Sequence, residues 1–138
     1  MFRLLVVAAA LCVAVPPVAG QGSPAAASSH IVTAQALPSL DGTRLEATLV
    51  EVTFPPGGVS APHSHPCAVL GYVIRGAVRM QVEGGPLSVY TPGQSFYEAP
   101  NGVHAVSANA SQTEPATFVA YFTCDKKMPA LSVPPPTR

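Results

Sequence analysis

An all-β sandwich or barrel is the fold class this sequence predicts, and three observations predict it. Short runs of β-branched and aromatic residues recur through the middle of the chain. Glycine and proline punctuate the gaps between them. No stretch longer than a turn carries a convincing helical period, a short piece around 31–36 coming nearest. Antiparallel strands at this spacing bury one face each against a second sheet or around a closed barrel. The chain has 138 residues, enough for one domain with a modest core.

Each element follows from local composition. Residues 1–20 read as a secretory signal peptide: Arg3 supplies a positive start, Leu4 to Val15 are apolar, Pro16-Pro17 break the run, and Val18-Ala19-Gly20 offer small residues for cleavage. The apolar run is too short to span a bilayer as a helix. Leu11 precedes Cys12 where a lipid-attachment site needs a small residue, so export to a secreted or periplasmic location, without a membrane anchor, is expected. Residues 21–36 are Pro/Ala/Ser-rich and read as a flexible leader. The barrel domain is expected over 37–126.

Within it, Ala47 to Phe54 is a strand closed by Pro55-Pro56-Gly57-Gly58. Val69 to Ile74 and Ala77 to Val82 flank a turn at Gly76, and Glu83-Gly84-Gly85-Pro86 closes the second of them. Leu87 to Tyr90, Ser95 to Glu98, His104 to Ala108 and Ala116 to Thr123 complete the set. Residues 127–138 form a proline-rich tail that cannot enter a sheet interior, and either packs as an extended arm or hangs free. The extended segment from Ile31 to Leu40 is available to cover a barrel end or to pair with a second copy as a homodimer.

Charge excludes some functions. Seven basic residues balance seven acidic ones, and no basic patch suits nucleic acid. Phosphate-binding loops, Gly-x-Ser-x-Gly elbows and Cys-x-x-Cys pairs are missing. The mature chain keeps Cys67 and Cys124, for which a disulfide, two free thiols, or a thiolate metal ligand at Cys67 are all open.

The chemistry lies with histidine. His63 and His65 flank Ser64 in an extended segment, so alternation points both imidazoles the same way, roughly 6–7 Å apart along the backbone. His104 follows on a later strand, after Pro100-Asn101-Gly102. Three imidazoles converging on one face make a metal site. His30 falls in the leader and reads as solvated.

Gly57, His63, His65 and Gly76 resemble the first motif of the cupin family, and Gly93 to His104 resembles the second, with Pro100 shifted and Asn109 one residue late. The resemblance covers residues 45–123 and implies a single jelly-roll barrel. It also implies a divalent transition metal (Fe, Cu, Mn, Ni or Zn) held by His63, His65 and His104, with a small-molecule ligand or substrate. One departure stands out: Val69 occupies the position of the family's glutamate ligand. Three neutral imidazoles would leave a divalent ion its full charge and raise its Lewis acidity. Some cupin dioxygenases, acting on β-diketones and thiols, use three histidines in this way. The resemblance therefore implies a dioxygenase or another metal-dependent enzyme; the alternative is a non-catalytic binding module.

Glu98 is the nearest spare carboxylate. Its open roles are fourth ligand, orienting partner of a histidine, general base, or exposed surface residue. Tyr72 and Tyr97 line a pocket or an interface, or simply pack. Arg79 and Gln81 share one face of their strand, directed inward or to solvent.

Overall fold

The computed structural model describes residues 29–39, 45–125 and 130–136; residues 1–20, expected above to be a signal peptide, lie outside them. Eight strands run in order as β1 (Leu45–Phe54), β2 (His63–Ser64), β3 (Ala68–Arg75), β4 (Val78–Val82), β5 (Ser88–Tyr90), β6 (Ser95–Glu98), β7 (Val103–Asn109) and β8 (Ala116–Asp125). They form two four-stranded sheets, β1-β8-β3-β6 and β2-β7-β4-β5, and every ladder between them is antiparallel. Among the described residues there is no helix, and none long and apolar enough to cross a membrane. Residues 31–36, the nearest approach to a helical period, carry no regular structure.

Alternation sets which side chains face inward. Along β8, Ala116, Phe118, Ala120, Phe122 and Cys124 are buried while their neighbours are not, giving a clean two-residue period. The aromatic spine crosses the barrel from Phe54 to Phe118 (5.9 Å between centroids) and on to Phe96 (5.6 Å). Phe96 lies against Gly71, its register partner on β3. A Cβ at 71 would sit 2.1 Å from that ring, so only glycine fits there.

Asn109 ends β7 fully buried. Its amide donates to the Pro55 carbonyl (2.9 Å) and the Glu114 carbonyl (2.8 Å), while its Oδ1 accepts from the Ser111 N–H (2.9 Å). It thereby ties together two loops that have no ladder of their own.

Three findings settle open points. Cys67 and Cys124 form a disulfide with Cα atoms 5.1 Å apart, which replaces the free-thiol and thiolate-ligand alternatives. It joins the start of β3 to the end of β8 across a separation of 57 residues. Removing it as Cys67→Ala/Cys124→Ala is expected to lower unfolding free energy by about 3 kcal/mol, read from denaturant midpoints; an unchanged midpoint would show the bond adds nothing. Second, the tail is not free. Val133 exchanges both backbone hydrogen bonds with Ser64, each at 2.9 Å, on the outer edge of β2. Third, residues 31–39 join no strand and stay exposed, Ile31 at 84%, so this segment does not cover a barrel end.

Candidate metal centre

β2, β6 and β7 bring the site together. His63 on β2 stands directly opposite His104 on β7, and their rings stack at 5.2 Å between centroids. His65, just past β2, turns its ring edge toward both: 4.9 Å from His63 and 5.6 Å from His104. Phe122 supports its other side at 5.1 Å.

Glu98 completes the group. On β6 the buried positions alternate as Phe96 and Glu98, so the carboxylate enters the barrel in step with the aromatic core. Its Oε2 lies 3.1 Å from His104 Nε2 and 3.3 Å from His65 Nε2. One ligand atom from each of His65, Glu98 and His104 falls within 4.8 Å of the others, a spacing that can hold a metal ion. All three side chains are buried, His104 most completely. Although these atoms approach closely, Glu98 Oε2 and His104 Nε2 have no hydrogen-bond partner. Buried polar atoms are rarely left so, because an unpaired acceptor is costly in a low-dielectric interior. Two lone-pair donors of different chemistry, unpaired and aimed at one point, suit a cation.

The register explains the missing glutamate. Glu98 is the cross-strand partner of Val69, the residue at the resembled motif's carboxylate position, and Val69 itself is 1% exposed. A carboxylate therefore reaches the same region from β6 instead of β3. Beside the expected histidines, the structure thus places the Glu98 carboxylate in the same cluster as His65 and His104. Of the roles open to Glu98, an exposed surface position is ruled out by its burial.

Backbone carbonyls fix the histidine tautomers. His65 Nδ1 lies 2.6 Å from the Leu131 carbonyl and His63 Nδ1 lies 2.8 Å from the Ala61 carbonyl. A carbonyl only accepts, so each Nδ1 carries the proton and each neutral ring offers its Nε2 lone pair. Burial pushes the His65 imidazole below the ordinary histidine value, outweighing the Leu131 carbonyl and Glu98, which raise it; His63 and His104 lower it further. The neutral, ligand-competent form thus persists to lower pH.

Leu131 belongs to the tail strapped onto β2. Deleting residues 130–138 is expected to weaken divalent-metal affinity about ten- to hundredfold with the barrel intact, measured by competition against a chromophoric chelator. Undiminished affinity would show that the strap does not orient His65.

His63 is half-buried and adjoins the three-residue group without belonging to its tight set. The other candidates fall away. Arg79 and Gln81 alternate with the buried Val78 and Met80, so they face outward, and Gln81 donates to the Gly85 carbonyl at 3.1 Å. Tyr72 is exposed on the outer face of the first sheet. Tyr97 is half-buried at a side cavity of about 170 Å³ that Glu98 and His104 also line.

Comparisons with known proteins converge on one family. The family pattern described as Cupin domain matches residues 50–122, more than half of the chain. No curated protein sequence matches significantly. Among solved structures, a cupin-like protein from Thermotoga maritima is 28% identical, over 55% of this chain and 56% of that one, with a TM-score of 0.50. Recombinant oxalate oxidase in complex with glycolate is 26% identical over 64% of this chain and 45% of that one, with a TM-score of 0.53. A double-stranded β-helix protein from Klebsiella pneumoniae, at 22% identity, shares the fold over 66% of this chain and 84% of that one, with a TM-score of 0.52. The chain thus spans about half the length of the Thermotoga protein and of oxalate oxidase.

Proposed function

This chain belongs to the cupin family, and from that premise we propose that it is an exported, metal-dependent protein that binds and oxidatively transforms a small organic molecule. The observation that carries the reading is the buried meeting of Glu98 Oε2 with the Nε2 atoms of His65 and His104, in which Glu98 Oε2 and His104 Nε2 have no hydrogen-bond partner. His65, His104 and Glu98 would hold one divalent transition metal, with His63 as the further ligand on the open side. Two or three imidazoles with one carboxylate suit iron, manganese, copper, nickel or zinc. When bound, such an ion would supply Lewis acidity and, if redox-active, a path for electrons from the substrate to dioxygen as the co-oxidant.

The chain's own residues do the remainder. The Leu131 and Ala61 carbonyls keep the Nε2 lone pairs of His65 and His63 directed inward. The Glu98 carboxylate offsets positive charge, and its second oxygen remains able to take or return a proton. Phe122 and Phe118 keep water from one side of a chamber of about 90 Å³ next to the histidines. The likeness to oxalate oxidase supports oxidative chemistry. The Cys67–Cys124 disulfide supports an oxidising compartment, in keeping with export. Leu49 and Tyr121 lie side by side, exposed, on the outer face of the first sheet, which supports pairing of two copies there.

Cobalt(II) titration followed by visible absorption tests the metal reading. One equivalent should saturate the ligand-field bands, and glycolate or azide should then perturb them through an open position. No saturable band would overturn it.

A further inference from the structure

The site opens to solvent through a funnel of about 710 Å³. One wall is β1, with Val50 and Val52 directed inward; the opposite wall is the C-terminal strap, with Leu131, Val133 and Pro134. His63 and His65 form its floor, and Val50, Val52, Ser60 and Phe122 continue from it into the inner chamber. Among the described residues lining this funnel there is no Lys, Arg, Asp or Glu. Among those described residues the only polar side chains besides the two histidines are Ser60 and Ser132.

This wall chemistry decides what can sit over the metal site. A small dianion such as a dicarboxylate needs a cationic partner at the end away from the ion, because desolvating an unpaired carboxylate is costly. The described walls offer no such group. An apolar body, by contrast, gains by leaving water against Val50, Val52, Leu131 and Val133. The volume also exceeds what a two-carbon acid fills.

We propose that the funnel is a binding site for a largely apolar organic molecule that presents a single metal-binding head to the histidine floor. Resting on the metal reading above, this names the substrate class as one with an aromatic or comparably apolar body rather than a small dicarboxylate. The C-terminal strap therefore has two roles: its Leu131 carbonyl orients His65, and its side chains form half of the recognition surface.

The test uses the full chain loaded with zinc, its zinc content measured first. Benzohydroxamate and acetohydroxamate carry the same metal-binding head and differ by a phenyl ring in place of a methyl. Benzohydroxamate should bind at least tenfold more tightly, and Val52→Asp should shrink that gap to less than threefold. Val133→Ser, on the strap outside both sheets, should narrow it as well and serves if Val52→Asp does not fold. Equal affinities in the unaltered protein, or a gap that neither variant changes, would overturn the funnel assignment and leave the metal ligands standing. Should no zinc be retained, the metal reading fails, and methyl resonances of the metal-free protein titrated with benzyl alcohol decide the funnel. Saturable shifts at Val50, Val52 and Val133 uphold it; shifts confined to the outward-facing Leu45 and Leu49 overturn it.

Discussion

Replacing His65 with alanine is expected to abolish stoichiometric binding of a divalent metal while leaving the β-barrel folded. His65 is the residue on which the site's supports converge. Its Nδ1 is tied to Leu131, its ring packs edge-on against Phe122, and its Nε2 meets Glu98 Oε2 at 3.3 Å. Losing it removes a ligand and leaves the Glu98 carboxylate with one imidazole fewer, so affinity should fall by well over about a hundredfold, beyond what loss of an outer support produces. The fold should survive. The barrel's core is the Phe54, Phe96, Phe118 and Phe122 cluster with Val69, Val73 and Val78, and the substitution removes one hydrogen bond and three ring contacts, with His63, His104 and Phe122, about 2 kcal/mol. Far-ultraviolet circular dichroism and metal stoichiometry measured on one sample check both halves. Metal retained at the original stoichiometry would contradict the assignment.

Glu98→Gln should separate affinity from stability. Glu98 Oε2 is buried with no hydrogen-bond partner, so a neutral amide of the same shape should, when both proteins are compared in the presence of chelator, leave unfolding free energy unchanged or raise it by about 1 kcal/mol. Metal affinity should move the other way, falling about a hundredfold or more, because the site's only carboxylate among the described residues is gone. A purely structural glutamate would lose stability instead. The register adds a sharper version. Val69 and Glu98 are cross-strand partners, so Glu98→Val should lose metal, and adding Val69→Glu to it should recover at least tenfold of the affinity. Paired chelator competition and chemical denaturation read both quantities.

The strands were legible because alternation and turn residues are local. Ser95–Glu98 runs as the sequence suggests, six other expected strands differ by a residue or two at their ends, and β2 (His63–Ser64) was expected only as an extended segment. The histidines were legible because a one-residue spacing on extended chain fixes their relative direction. Glu98 was harder. Between it and His104 the chain turns through Asn101, whose φ of 63° lies in the left-handed region, and an irregular turn destroys the parity that links one strand to the next. Phe96 held the usable signal: an aromatic two residues earlier on the same strand is buried, and Glu98 shares its face. The support from Leu131 left no trace in the sequence, since every residue carries the same backbone carbonyl whatever its side chain and the contact spans 66 positions. The disulfide was allowed by composition, but the pairing of Cys67 with Cys124 depends on β3 lying beside β8.

The most direct test of the metal centre is elemental analysis of the tag-free protein by inductively coupled plasma mass spectrometry, beside Glu98→Gln prepared identically. Near one equivalent of a first-row transition metal in the unaltered protein, and far less in the variant, is the predicted result. No metal in either protein, even after reconstitution, or equal metal in both, would contradict it.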